Sequence, residues 1–396
     1  MEFAQRVDRV RPSAIRELLM LEADPEVVSF GGGYPDASMF PMPELNETFN
    51  SLLRQGNNGV LQYCESVGLL RLREQIAERS ARDGTPCRAE DLQILQGAQQ
   101  GLDLVAKLAL DPGDVLITED PTFLGALIAF NPMEPKYVGV RTDADGMDTD
   151  HLEEVLSQNS RAKLIYVIPD FQNPTGATLS MERRARIVEL ANQFDVLVLE
   201  DSPYREFRYD GHQLPTLKSL DVEGRVIFLG SFSKILAPGM RLGWAQADGE
   251  VLQKLGLLKL AADTQCSTLN MAAASLYMDT FDMNEHIARM RGVYRRKRDV
   301  MLGTLASTLP EGVNFTRPHG GLFTWLTFPE GFDADTFMRE VLLPKEKVAY
   351  VPGGTFFVGE PRRNFARMSY SSLADEVIVD AVTRMSLRLK VALFHG

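Results

Sequence analysis

The sequence KLIYVIPDFQNPTG (163–176) decides the fold class, because a short apolar run passes directly into a loop of polar and turn residues. Two later stretches repeat this arrangement, VLVLEDSPYREF (196–207) and VIFLGSFSKILAPGMRLGW (226–244). Such nearly continuous apolar runs are typical of strands that are covered on both faces of a parallel sheet. These stretches therefore predict buried strands with polar side chains at their carboxyl ends.

Seven runs of this kind are predicted strands: LQIL (92–95), VLIT (115–118), KYVGV (136–140), KLIYVI (163–168), VLVLE (196–200), VIFLG (226–230) and LGWAQ (242–246). Segments with apolar residues at helical spacing separate them, as at Leu102, Val105, Ala106 and Ala109. Strands that alternate with such helices indicate an α/β fold. We predict a large domain with a mostly parallel, seven-stranded sheet.

The character of the chain changes after about residue 280. A long, charged helical stretch, MNEHIARMRGVYRRKRDVMLGTL (283–305), leads into the strand-like GGLFTWLTF (320–328). We predict a smaller α+β domain over 281–396, a large domain over 46–280, and an N-terminal arm over 1–45. The arm is expected to contribute to the small domain and to the substrate entrance.

Composition excludes several classes of protein. The chain has 396 residues, 44% of them hydrophobic, and a formal net charge of -12, which disfavours nucleic-acid binding. The three cysteines and five histidines lack metal-ligand spacing, so no metal is expected. The N-terminus lacks the apolar core of a signal peptide, and no run is long enough to span a membrane. A cytoplasmic protein is expected.

The strand ends deliver groups that one particular cofactor needs, since ligands of open α/β sheets gather beyond the carboxyl ends of the strands. Lys234 can form an imine with an aldehyde. Asp201 can pair with a protonated pyridine nitrogen, and Asn173 and Tyr204 can donate to a ring oxygen. Each group alone has an ordinary structural explanation, such as a helix cap or a turn. Together they predict a site for a pyridine ring.

Other groups at these strand ends suit a phosphate and the flat ring. The predicted phosphate ligands are Ser231, Ser233, Arg241 and the backbone N–H groups at the start of a helix, at Gly97, Ala98 and Gln99. Phe123, after the run VLIT, offers a flat face for stacking. The implied cofactor is pyridoxal 5'-phosphate, bound to Lys234 as a Schiff base.

The motifs SFSKILAPGMRLGW, PDFQNPTG, EDSPYREF and LQYCESVGLLRLRE resemble those of pyridoxal-phosphate-dependent class I aminotransferases of fold type I. More narrowly, the chain resembles the branch that contains α-aminoadipate and kynurenine aminotransferases. The resemblance runs through almost the whole chain. It implies an aspartate-aminotransferase-like fold, Lys234 as the catalytic residue, and a homodimer with shared active sites.

The resemblance also implies roles for residues outside the strand-end set. Tyr63 matches a tyrosine that reaches across the dimer to the neighbour's phosphate. Arg367 matches the arginine that binds the substrate α-carboxylate, a task that suits its planar fork. Asn173 and Gly33 belong to the same carboxylate site. Arg16 matches the position from which aminoadipate-type enzymes recognise a distal carboxylate, although an exposed helix arginine is an equal alternative.

The predicted reaction is transfer of an amino group from an L-amino acid to a 2-oxo acid such as 2-oxoglutarate. Expected donors resemble 2-aminoadipate or glutamate, with aromatic or aliphatic amino acids as further donors. One alternative is other chemistry with the same cofactor, β-elimination or decarboxylation. Another is an effector-sensing domain of a transcription regulator, which the acidic charge and the early start of the motifs at about residue 12 disfavour.

Three positions depart from the family pattern. Ala98 stands where relatives commonly have serine, and Phe123 stands where tyrosine is frequent. Both changes remove a polar group beside the cofactor while leaving its binding plausible. Tyr34 stands where leucine is usual, beside the expected substrate entrance, and this change bears on substrate preference.

Overall fold

The computed structural model of the chain describes residues 3–4, 6–7, 24–54 and 58–394. None of the helices described there is long and apolar enough to cross a membrane. In the same ranges, no group of three or more His, Cys, Asp or Glu side chains could hold a metal ion. The cytoplasmic location stays a prediction.

The described strands form three sheets. They are β1 (Val28–Ser29), β2 (Leu92–Leu95), β3 (Val115–Asp120), β4 (Lys136–Asp143), β5 (Gly146–Met147), β6 (Ala162–Val167), β7 (Leu197–Asp201), β8 (Val226–Ser231), β9 (Gly243–Gln246), β10 (Asn314–Phe315), β11 (Phe323–Thr327), β12 (Val348–Ala349), β13 (Val351–Pro352) and β14 (Phe365–Ser369).

The large sheet has the strand order β2-β9-β8-β7-β6-β3-β4-β5. The five strands from β8 to β4 pair in parallel, whereas β9 is antiparallel to both of its neighbours. The α/β prediction and its seven strands are confirmed. The sheet has one further strand, Gly146–Met147, which turns back antiparallel to the end of β4. A two-residue strand is too short to show a periodic pattern, so the sequence analysis missed it.

The helices lie between and around these strands. Their bounds are Met42–Arg54, Leu70–Arg82, Ala98–Ala109, Leu124–Phe130, Thr149–Gln158, Met181–Phe194, Leu217–Leu220, Phe232–Ile235, Gly249–Asp263, Thr268–Thr280, Met283–Thr308, Ala334–Thr336, Leu343–Glu346 and Asp375–Phe394.

Two apolar cores cover the two faces of the large sheet. Leu164 in β6 belongs to one core, together with Leu102 of the helix Ala98–Ala109. The next residue, Ile165, belongs to the other core, together with Ile187 of the helix Met181–Phe194. Successive side chains of a strand point to opposite faces. The sheet is therefore covered on both faces.

The segment before the first helix is joined to the C-terminal part of the chain. Strand β1 pairs in parallel with β12, with Val28 opposite Val348. The C-terminal part of the chain also forms a four-stranded antiparallel sheet, in the order β10-β11-β14-β13. The pairing brings residues near 30 towards β14, because Ser369 donates its backbone N–H to the Phe30 carbonyl at 2.8 Å. The domain boundaries at residues 45 and 280 stay predictions.

Candidate active site

One cavity of about 450 Å³ lies at the carboxyl ends of the large-sheet strands, against β11 and β14. Most of the predicted site residues line it. They are Gly33, Ala98, Gln99, Phe123, Asn173, Asp201, Tyr204, Ser231, Ser233, Lys234, Arg241 and Arg367. The structure thus brings together residues from both halves of the chain, although their individual roles stay predictions.

Asp201 is the last residue of β7 and is 3% exposed. Its Oδ2 atom accepts a hydrogen bond from the Tyr166 hydroxyl at 2.9 Å. Its Oδ1 atom is buried and has no hydrogen-bond partner among the described residues. Burial raises the pKa of the carboxyl to about 6, although the Tyr166 hydroxyl opposes this change. A buried oxygen without a partner is costly, so Oδ1 fits a ligand that donates a hydrogen bond.

Lys234 lies in the short helix Phe232–Ile235, directly after β8. Its Nζ atom donates to the Gly33 carbonyl at 2.6 Å. Burial, together with the positive charges of Arg367 and Arg241, lowers the pKa of the amine to about 8. Deprotonation of an amine near neutral pH is what an attack on an aldehyde requires.

A cation and a helix start define one end of the cavity. Gly97 precedes the helix Ala98–Ala109 with a φ of 75°. A Cβ atom there would lie 2.7 Å from Nη2 of Arg241, so the turn and the guanidinium approach closely. Free N–H groups at a helix start attract anions, and an arginine adds charge and fixed donors. This end of the cavity suits a phosphate.

The serines at this end are partly engaged within the protein. The Ser231 hydroxyl accepts a hydrogen bond from the backbone N–H of Ser233 at 3.1 Å and so caps the short helix. An oxygen that accepts in this way can still donate its own hydrogen. Gln99 also has a structural task, since its side chain donates to the Gly125 carbonyl at 2.8 Å.

Phe123 stands at the wall of the cavity, just before the helix Leu124–Phe130. Gly125 allows this ring position, because a Cβ atom at residue 125 would lie 2.4 Å from the end of the Phe123 ring. The ring is therefore held over its own helix start and lines the cavity; its stacking role stays a prediction.

Arg367 in β14 provides a second cation, and it is 2% exposed. Its Nη1 atom donates to Asn173 Oδ1 at 2.8 Å, and its Nη2 atom donates to the Gly31 carbonyl at 2.6 Å. The guanidinium lies 4.4 Å from the centre of the Phe323 ring. An aromatic ring on its flank and hydrogen bonds at its tip therefore hold the guanidinium in place.

Tyr204 lines the cavity beside Asn173 and Phe323. It is 5% exposed, and burial raises the pKa of its phenol, although the charge of Arg367 and a hydrogen bond with Asn173 oppose this change. Its ring packs edge-on against Phe323, with 5.6 Å between ring centres. The phenol therefore stays protonated at neutral pH and is available as a donor.

Among the predicted site side chains that the structure describes, one does not line this cavity. Tyr63 is 81% exposed and is absent from the cavity wall of its own chain. Arg16 lies outside the described residues. The sequence analysis also missed two residues that the structure places here: Phe323 lines the cavity, and Tyr166 binds Asp201. Both occur within strand patterns, where an aromatic residue is normally part of the core.

These features define a class of enzyme site. A buried carboxylate with a partnerless oxygen and a lysine of lowered pKa share one cavity with a phosphate-like corner and a second arginine. A protonated pyridine nitrogen, an aldehyde and a phosphate together satisfy the first three, which is the chemistry of pyridoxal phosphate.

Comparison with known proteins also points to a pyridoxal-phosphate enzyme. The family model described as aminotransferase class I and II matches residues 26–385. The chain is 39% identical over 392 residues to the 2-aminoadipate transaminase of Thermus thermophilus, which covers 98% of this chain and 96% of that protein. It is 37% identical over 393 residues to aromatic-amino-acid aminotransferase 1 of Thermococcus litoralis, and this match covers 98% of this chain and 94% of that protein.

A solved structure gives the same result. The crystal structure of Pyrococcus horikoshii kynurenine aminotransferase, in complex with PMP, has a TM-score of 0.94 at 36% identity and covers 99% of this chain and 97% of that one. The chain belongs to the class I and II aminotransferases. It is a pyridoxal-phosphate-dependent transaminase of fold type I, and it resembles the branch that contains the aminoadipate and kynurenine enzymes.

Proposed function

We propose that this transaminase moves an amino group from 2-aminoadipate or glutamate to a 2-oxo acid such as 2-oxoglutarate, and that it also accepts aromatic and aliphatic amino acids. The observation that carries the proposal is one cavity that holds the Lys234 amine, the partnerless oxygen of Asp201 and the Arg367 guanidinium. The names of two relatives, a 2-aminoadipate transaminase and an aromatic-amino-acid aminotransferase, support the substrate range.

The residues of the cavity fit the cofactor. When bound, pyridoxal phosphate supplies an aldehyde that condenses with amines and a ring that takes up the electron pair of a broken bond at the substrate Cα. Asp201 Oδ1 would accept from the ring nitrogen, and Asn173 and Tyr204 would donate to the ring oxygen. Phe123 would pack on the ring face. Arg241, Ser231, Ser233 and the N–H groups of Ala98 and Gln99 would hold the phosphate.

Lys234 acts as the base in this scheme. Its pKa of about 8 leaves an appreciable neutral fraction at pH 7, which makes Nζ both a nucleophile and a proton acceptor. Once a substrate amine had taken its place on the cofactor, the freed Nζ would be able to accept the proton of the substrate Cα and to return it to the cofactor carbon. Addition of water would then release the 2-oxo acid and leave the amino group with the cofactor.

Arg367 and Asn173 orient the substrate. A bidentate contact between the Arg367 fork and the α-carboxylate fixes the substrate at one end, with Asn173 and the backbone of Gly33 beside it. Lys234 donates to the Gly33 carbonyl, so Lys234 lies at the same short segment that is proposed to bind the substrate. This arrangement supports a binding mode in which the Cα atom of the substrate faces the Nζ atom of Lys234.

The described cavity wall supports a broad choice of substrate side chain. Tyr34 is 45% exposed and lines the cavity together with Ile128 and Phe323. These side chains offer apolar and aromatic contacts for neutral amino acids. Recognition of a distal carboxylate is proposed for Arg16, which lies outside the described residues.

A screen of single half-reactions tests the function and the role of Arg16 together. Each amino acid is added to the purified holoenzyme, and loss of the absorbance of the Lys234-linked cofactor is followed. We expect Arg16→Ala to lower the preference for 2-aminoadipate over leucine about ten-fold, the size of one charge-assisted hydrogen bond. Arg6→Ala is the matched control. An unchanged ratio would exclude Arg16, and inertness to every amino acid would overturn the proposed function.

We further propose a homodimer in which Tyr63 of each chain completes the phosphate site of the other. Tyr63 is far more exposed than a tyrosine usually is, and the neighbouring Leu61 is 68% exposed. Arg241 at the phosphate end of the cavity is also exposed in the single chain. These exposed side chains support a partner subunit that covers them.

Mixed dimers test the contribution of Tyr63. We expect Tyr63→Phe alone to weaken pyridoxal-phosphate binding about ten-fold, through loss of one hydrogen bond to a charged group. A dimer of one Tyr63→Phe chain and one Lys234→Ala chain contains one site with both side chains intact, and this site should bind with normal affinity. If it bound as weakly as the Tyr63→Phe dimer, the proposed exchange between subunits would be wrong.

A further inference from the structure

Tyr166 is a fully buried tyrosine in β6, next to the strand that carries Asp201. Its hydroxyl donates to Asp201 Oδ2 at 2.9 Å. Its ring packs edge-on against Phe130, with 5.3 Å between ring centres and 75° between ring planes. Strand pairing fixes its backbone and ring packing fixes its side chain, so the position of this hydroxyl is well defined.

Asp201 depends on this one contact. Burial raises the pKa of the Asp201 carboxyl, and Tyr166 is the neighbour that lowers it. One carboxyl oxygen binds Tyr166, and the other has no partner among the described residues. A carboxylate held at a single oxygen has its remaining oxygen directed by that contact.

We propose that Tyr166 is a positioning residue for the cofactor ring: it keeps Asp201 ionised and turns Oδ1 towards the ring nitrogen. This inference rests on the proposed role of Asp201. Tyr166 does not line the cavity, so it acts on the ring only through that carboxylate. The sheet thereby supplies a second layer of support beneath the site, as is usual for groups that must be held in one orientation.

The surroundings of Tyr166 contain few other charges. The titratable groups that act on its hydroxyl are Asp201, Glu119 and Tyr204. Burial raises the pKa of Glu119 to about 8, and burial also raises that of Tyr204. Both groups are therefore mainly uncharged at pH 7, and Asp201 is the ionised group that the Tyr166 hydroxyl faces.

Loss of the hydroxyl should therefore change the charge of the ring. Without Tyr166, Asp201 becomes more basic and draws the shared proton away from the ring nitrogen. A less positive ring repels the proton of the Lys234–cofactor link less strongly. The pH at which that link loses its proton should then rise, and so should the dissociation constant of the cofactor.

Tyr166→Phe tests this inference, because phenylalanine keeps the ring that packs on Phe130. We expect the absorbance titration of the Lys234-linked cofactor to move to higher pH by roughly 0.5 units or more. Binding of pyridoxal phosphate to the apoprotein, measured by fluorescence, should weaken about ten-fold. Tyr166→His, which retains an N–H donor, should fall between Tyr166→Phe and the unmodified protein in both measurements.

Tyr350→Phe is the matched control. Tyr350 is also fully buried, and its hydroxyl donates to the Ala334 carbonyl at 2.7 Å, away from the cavity. The Tyr350→Phe variant should lose about as much thermal stability as Tyr166→Phe, without a change in the absorbance titration or in cofactor affinity. If the two phenylalanine variants gave the same titration, Tyr166 would be a structural residue only.

Asp201→Asn separates this inference from the proposed function. It should shift the titration in the same direction as Tyr166→Phe and by a larger amount. A shift in Asp201→Asn without one in Tyr166→Phe would overturn the role of Tyr166 alone. No shift in either variant would also overturn the proposed role of Asp201.

Discussion

Lys234→Ala is expected to abolish transamination, lowering kcat by at least about 10⁴-fold, because the variant loses both the nucleophile and the base. Lys234 is the lysine that lines the cavity in the described part of the chain, and its pKa is lowered to about 8. Borohydride treatment of the holoenzyme, followed by peptide mass mapping, should find the reduced cofactor on Lys234 and on no peptide of the variant.

The pH dependence of cofactor attachment gives a second measurement on the same residue. Only the neutral amine attacks an aldehyde, so the attachment rate of the apoprotein should rise with pH through about 8. The cation of Arg367 contributes to the lowered pKa, and its removal should therefore move this midpoint to higher pH.

Lys345→Ala is the control for the lysine prediction. Lys345 is exposed in the helix Leu343–Glu346 and does not line the cavity. This variant should attach the cofactor and turn over substrate normally. Appreciable turnover by Lys234→Ala, or cofactor fixed on another lysine, would contradict the proposed mechanism.

Arg367→Ala is expected to raise KM for every amino-acid substrate and to lower kcat/KM by about two to three orders of magnitude, the usual loss for a buried, hydrogen-bonded charge pair. The guanidinium is 2% exposed and is held by Asn173 and the Gly31 carbonyl. Water cannot replace it easily at such a site. Steady-state kinetics with a dicarboxylic and a neutral donor should show the same relative loss.

Two further variants, Arg367→Lys and Arg363→Ala, serve as comparisons for Arg367→Ala. Lysine keeps the charge but cannot form the two parallel hydrogen bonds of the arginine fork, so Arg367→Lys should recover only part of the loss. Arg363 is a neighbouring exposed arginine that pairs with Asp333 at 2.8 Å, and its loss should leave KM unchanged. A loss confined to kcat in Arg367→Ala would argue against carboxylate binding.

Most of the cofactor site could be predicted because its residues follow strands. Lys234, Asp201 and Asn173 each stand just beyond a short apolar run, and parallel strands bring their carboxyl ends to one edge of the sheet. The apolar pattern alone predicted seven strands of the large sheet, all of which are present. The pattern could not reveal Gly146–Met147, which is too short to show a period.

Residues far from these strands needed family resemblance or the structure. Gly33 and Arg367 lie near opposite ends of the chain, and no local pattern relates them. They meet because β1 pairs with β12 and because the backbone N–H of Ser369 binds the Phe30 carbonyl. The structure adds the contact between Arg367 and the Gly31 carbonyl, which the resemblance did not specify.

By itself the sequence determined the fold class, the family and the groups available for chemistry, since hydrophobic periodicity and strand-end residues are local properties. Only the tertiary structure decided which of these groups depend on one another. Tyr166 looked like an ordinary core residue within KLIYVI, yet its hydroxyl is the single hydrogen-bond partner of the Asp201 carboxylate among the residues that the structure describes. Contacts of this kind depend on the register between neighbouring strands. The sequence of one strand does not show which residue of the next strand lies beside it.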